Sequence, residues 1–128
     1  IAGSAHSHDL RLAVSQAIDV VTLQIGRLEE IYARLSTSYA PESCLGLVGF
    51  LDEAFQSIGP PLDGPSLRDL SILFYMQNIE SIEMVSFEVM MRVADKLHER
   101  SVVELLRECY IEARQDQAMF SSISGKYI

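Results

Sequence analysis

Residues 67–97, "LRDLSILFYMQNIESIEMVSFEVMMRVADKL", place apolar side chains at alternating three- and four-residue intervals for almost four heptads. Only an α-helix keeps such a row on one side, and a helix this long gains most of its stability by packing that side against other helices. The main stripe reads Ile72, Tyr75, Ile79, Ile82, Ser86, Val89, Val93 and Leu97. Beside it runs a second row, Leu73, Met76, Phe87 and Met90, interrupted by Glu80 and Glu83 where apolar residues belong. Strand-like alternation and hairpin dipeptides such as Asn-Gly are absent. The chain is therefore expected to be all-α.

Three further helices follow from the same periodicity. The first is expected over about residues 8–35, with Ser7 as cap and Val14, Ala17, Ile18, Val21, Ile25, Leu28, Tyr32 and Leu35 as its stripe. "STSYAP" closes it, and Pro41 with Glu42 opens a short helix over about 41–56. "SIGPPLDGP", residues 57–65, is the clearest break in the chain. It is read as a connection inside one domain spanning 1–128, because the flanking pieces are too short for separate cores. The long helix then runs over about 65–97, with Lys96, His98 and Arg100 at the negative end of its dipole. "SVVE", residues 101–104, has the form of a capping box, opening a last helix over about 102–121. So short a link makes these two helices an antiparallel pair.

On the last helix Val102, Leu105, Cys109, Glu112, Asp116 and Met119 form a stripe that is apolar at its ends and acidic in the middle. Counting at about 1.5 Å per residue from the connection near residue 99, Glu112 and Asp116 fall at nearly the height of Glu80 and Glu83. Carboxylates gathered at one level inside a bundle need protons, cationic partners, water or a metal. A carboxylate-bridged metal pair between four helices is one known solution. A solvated edge, or ion pairs with arginines such as Arg107 and Arg114, is the other reading.

Other chemistry is thinly represented. The net charge of −8 and pI near 4.7 disfavour phosphate backbones and anionic lipid as partners, so neither nucleic acid nor membrane is expected. Cys44 and Cys109 lack the spacing of a zinc or redox site and read as core thiols of a reducing compartment. No secretory signal is seen, and no apolar run approaches the roughly 18 residues of a membrane span. The expected location is cytoplasmic. His6 and His8 lack a third ligand, and His98 reads as a helix-end cation. Met76, Met84, Met90, Met91 and Phe87 read as core or dimer contact. No nucleophile motif, phosphate loop or dinucleotide fingerprint occurs.

The chain resembles the YciE/YciF-type ferritin-like stress proteins of bacteria. The likeness covers nearly the whole chain and is most specific in residues 67–97, where Gln77, Glu80, Glu83 and Phe87 match the family's Gln-x-x-Glu-x-x-Glu-x-x-x-aromatic core. It continues through "VVELLRECYIEARQDQ", where Glu112 and Asp116 fall on acidic positions of the last helix. "CLGLVGFLDEA" resembles the short helix on the family's long crossover, and "QIGRLEEIYARL" the end of its second bundle helix. The resemblance implies a ferritin-like antiparallel bundle and a metal site at Glu80, Glu83, Glu112 and Asp116.

Two departures weaken that site. The second family helix carries an acid-x-His-x-x-Glu-Thr pattern, and the matching positions here are Ser15, Ala17, Val20 and Val21, with Asp19 out of register by one. The first bundle helix has no counterpart, and "IAGSA" resembles its last residues. Three long helices lacking a fourth would expose an apolar groove, which implies a homodimer. The expectation is therefore a non-catalytic, stress-associated or structural protein with a degenerate metal site and no cofactor. The alternatives are an iron- or manganese-binding carboxylate protein using those four acids, and a helical adaptor that docks a protein partner in the groove.

Overall fold

The computed structural model describes residues 2–37, 49–53, 56 and 65–128, the side chains of residues 2–6, 65 and 66 excepted. Three long helices, α1 (Ala2–Arg34), α2 (Pro65–Lys96) and α3 (Arg100–Gly125), carry the architecture, and no strand occurs among the described residues. Residues 49–53 are helical and fall inside the expected crossover helix. Phe50 there meets Tyr75 of α2 edge to face, with ring centroids 5.4 Å apart. Cys44, Gly46 and the glycine-proline break lie outside the described residues.

Contacts along the helices fix their directions. Gln117 on α3 donates to the Gln77 carbonyl on α2, and Lys126, just past the end of α3, reaches Asp9 on α1, so α3 is antiparallel to both. Ser7 on α1 donates to Asp69 on α2, so α1 and α2 run parallel. The α2–α3 interface is the most extensive; α1 packs mainly on α3 and touches α2 at few points. Thus α3 sits between two parallel helices that are nearly diagonal to each other.

Helix ends explain several differences from the sequence expectations. α1 begins six residues before His8, so "IAGSA" lies in or beside its first turns and Ser7 is interior, bonded to Asp69 rather than capping. α1 and α2 both end in a Schellman closure: Thr37 donates to the Tyr32 carbonyl and Ser36 to Ala33, while Glu99 donates to Ala94 and His98 to Asp95. Ser36 and His98 adopt the left-handed conformation, with φ of 52° and 59°, that such closures require. His98 therefore shapes the turn into α3. Because α3 starts at Arg100, Ser101 is already helical and no capping box forms; Glu104 pairs with Arg107 instead. α3 also continues past residue 121 to Gly125.

The buried rows are rotated from those expected. On α2 it is the acid-bearing row, Leu73, Glu80, Phe87 and Ala94, that faces inward. The expected main stripe divides: Ile72, Tyr75 and Ile79 are half-buried, with Ile72 packed on the core, whereas its later part faces out, with Val89 52%, Val93 53% and Leu97 64% exposed. On α1 the inner row is Leu10, Ala13, Ala17, Gln24 and Ile31, whereas Ile18, Val21, Ile25, Tyr32 and Leu35 are exposed. On α3 Val103, Leu106, Ala113, Phe120 and Ile123 join Val102, Cys109 and Asp116 inside. Periodicity identifies apolar rows but does not choose between two adjacent ones when α1 and α2 carry both.

The core divides in two along the bundle. One cluster gathers Leu10, Ala13, Ala17, Leu73, Phe120 and Ile123; the other gathers Ile31, Phe87, Ala94, Val102, Val103, Leu106, Cys109 and Ala113. Burying Phe120 or Leu73, each at 0% exposure, contributes roughly 2–3 kcal/mol. Between the clusters lies a polar layer. No helix among the described residues is long and apolar enough to cross a membrane.

Candidate functional site

The polar layer is built where the three inner rows carry their interruptions. Glu80 and Glu83, one turn apart, share an α2 face; Glu112 and Asp116 share an α3 face; Gln24 and Arg27 do so on α1. The antiparallel α2–α3 pairing brings Glu80, Glu83 and Asp116 together. Glu80 is only 2% exposed and Asp116 8%.

Burial, then the Glu83 and Asp116 charges, push the Glu80 carboxyl up to about 9. Glu83 is also raised, chiefly by burial, although its hydrogen bond with Glu80 opposes the shift. Asp116 is raised by burial and by the neighbouring Glu112 charge. Two carboxyls in contact cannot both ionise cheaply in such surroundings, so Glu80 and Glu83 hold a proton between them near neutral pH. One oxygen on each, Oε2, is buried with no hydrogen-bond partner.

Glu112 has a different environment. Arg27 forks onto it: Nη1 donates to Oε1 and Nη2 to Oε2, the latter at 3.4 Å, while Arg27 Nε lies 3.1 Å from Glu108 Oε2. The Arg27 and Glu112 side chains are each 19% exposed, so this ion pair is largely inside. Burial works against the guanidinium's charge, yet its bonds to Glu112 and Cys109 outweigh that and raise its pKa. Gln24 completes the α1 side by donating to the Cys109 carbonyl at 3.3 Å.

Of the four acids expected at one level, the structure gathers Glu80, Glu83 and Asp116, while Glu112 turns to α1. One expected alternative is ion pairing with arginines such as Arg107 and Arg114. Arg107 instead pairs with Glu104 on the surface, and Arg114 stands over the Tyr110 ring. Arg27 was missed. Its signal was available: Gln24 and Arg27 interrupt α1 at the helical spacing that singled out Glu80 and Glu83.

A bridged metal pair does not fit this layer. The register set by Ser7 and Asp69 puts Ala17, Val20 and Val21 level with Glu80 and Glu83, so α1 offers no donor there. Arg27 adds a fixed positive charge where Glu112 would otherwise be free to ligate. Among the described residues no three His, Cys, Asp or Glu side chains converge closely enough to hold an ion. The orphaned Oε2 atoms are the feature that suits a cation. His8 is exposed, and the side chain of His6 lies outside the described residues.

Comparison with known proteins agrees with the bundle. The crystal structure of the E. coli stress protein YciF matches with a TM-score of 0.84, covering 98% of this chain and 87% of that chain at 18% identity. At such identity the likeness speaks for the fold, which is that of a ferritin-like helical protein. No curated protein matches the sequence. The family model described as "Domain of unknown function (DUF892)" matches residues 1–127, and the chain belongs to that family.

Proposed function

We propose that this chain is a non-catalytic, stress-associated structural protein that works as a homodimer, its central acids neutralised by protons and by Arg27 rather than by a metal pair. The observation that carries this reading is the Arg27 fork on Glu112, held inside the bundle at the edge of the acidic layer. A buried guanidinium there supplies the positive charge that a carboxylate cage takes from its metal. The association with stress rests on the name of the YciF relative.

The homodimer is supported by the outward rows. Tyr32 and Leu35 of α1 and Val89, Val93 and Leu97 of α2 line an apolar groove of about 290 Å³. Ile18, Val21 and Ile25 on α1 and Ile82 and Val85 on α2 are further apolar residues, 37–61% exposed. An apolar surface this continuous is uncommon on a monomer and suits a self-complementary interface. Light scattering coupled to size exclusion should give a dimer at micromolar concentration, and V89E combined with V93E should give a folded monomer. A parent protein that is monomeric under those conditions overturns the homodimer; co-purification of a different chain in the groove would favour an adaptor.

A second reading, a single iron or manganese ion at Glu80, Glu83 and Asp116, is favoured by the two orphaned Oε2 atoms, and it needs the three side chains to draw closer together on loading than they stand here. It requires all three carboxylates to be ionised when loaded, which separates it from the proton-held layer.

A further inference from the structure

A second polar feature lies near the opposite end of the groove-bearing helices, away from the acidic layer. Residues 7–14 of α1 and 68–72 of α2 enclose a cavity of about 450 Å³, lined by Ser7, Leu10, Arg11, Val14, Arg68, Asp69 and Ile72. Its volume falls in the range of small-molecule sites. Arg27, Arg34, Arg92, Arg107 and Lys126 each make an ion pair. Arg11 and Arg68, like Lys96, Arg100 and Arg114, make none among the described residues, and of these five only Arg11 and Arg68 line this cavity.

Asp69 would be the natural partner, and it lines the same cavity, but it makes no ion pair with either arginine. It is 9% exposed, and its Oδ2 accepts from Ser7 Oγ and, at 2.7 Å, from Tyr127 Oη at the end of the chain. Those two hydroxyls hold one oxygen of the carboxylate, and Arg11 and Arg68 line the cavity beside it. Leu10, Val14 and Ile72 supply an apolar wall beside them. Planar guanidinium groups suit carboxylate and phosphate oxygens, which they can bond in pairs.

We infer that this cavity binds a small amphipathic oxyanion, a carboxylate or phosphate monoester head between Arg11 and Arg68 with a short apolar tail on Leu10, Val14 and Ile72. The site is separate from the acidic layer and does not depend on how that layer is neutralised.

The test titrates the full chain with hexyl phosphate, hexanoate, inorganic phosphate and 1-hexanol, following backbone amide shifts. Saturable shifts at residues 7–14 and 68–72 with hexyl phosphate or hexanoate are expected, and which of the two binds more tightly identifies the head group. Inorganic phosphate and hexanol should bind more weakly, since each lacks half of the ligand. R11A and R68A should each weaken binding about tenfold, with unchanged thermal unfolding because both side chains are exposed. R11K and R68K retain charge but lose the fork and should fall between parent and alanine variants. Absence of saturation by either amphipathic anion, or binding that survives in the R11A/R68A double variant, overturns the inference.

Discussion

Arg27→Ala is expected to destabilise the bundle by about 3 kcal/mol, near the lower end for breaking a buried ion pair. The loss is not the net worth of the pair. It is the cost of leaving Glu112 largely buried and unpaired beside Asp116, whose carboxyl is already pushed up by burial and by the Glu112 charge. Glu108 contributes little, because its side chain is 61% exposed and water can replace Arg27 there. For a chain of this size the thermal midpoint should fall by roughly 10 °C. Replacing both partners, Arg27→Leu with Glu112→Leu, should recover stability to within about 1 kcal/mol of the parent. Chemical denaturation of the three proteins checks this. A single variant no weaker than the double would show that Arg27 does not neutralise Glu112.

The second large effect concerns pH. Glu80 is raised from 4.5 to about 9, so between those values the folded chain holds a proton that the unfolded chain has released. Stability then falls as pH rises, because the unfolded state binds fewer protons. The contribution of this group is complete below about pH 4.5 and is lost progressively as pH climbs through about 9. Glu80→Gln imitates the protonated side chain and keeps a donor for Glu83. It should raise stability at pH 8 by about 2 kcal/mol and flatten the decline between pH 5 and 9. Melting curves across that range test both effects. An unchanged slope in the variant would contradict them, and a loss of stability restored by iron or manganese in the parent alone would favour the single-ion reading.

How much of this could be read in the residues depends on the kind of signal. Helical class and the antiparallel α2–α3 pair rest on local periodicity and a short connection. The meeting of Glu80, Glu83 and Asp116 was legible too, because distance from that connection sets height along both helices. The choice of inner face was not. Val89, Val93 and Leu97 are as apolar as Leu73, Phe87 and Ala94, and sequence cannot tell a row buried within the chain from one left for another surface. Helix ends differ from the expectation where other contacts compete with caps, a tertiary one for Ser7 on Asp69 and a pair within the helix for Glu104 on Arg107. Arg27 escaped because ion pairing was sought along α3, whereas the pair crosses between helices whose residues lie 85 apart in sequence.

The most direct test is the ionisation state of Glu80 at pH 7, read from its side-chain carboxyl ¹³C shift in protein exposed to iron(II) and manganese(II). A shift characteristic of a carboxylic acid, moving to the carboxylate value only toward pH 9, is the result expected of a layer held by protons and Arg27. A carboxylate shift at pH 7, or paramagnetic loss of the Glu80 and Glu83 signals with stoichiometric metal, would contradict it.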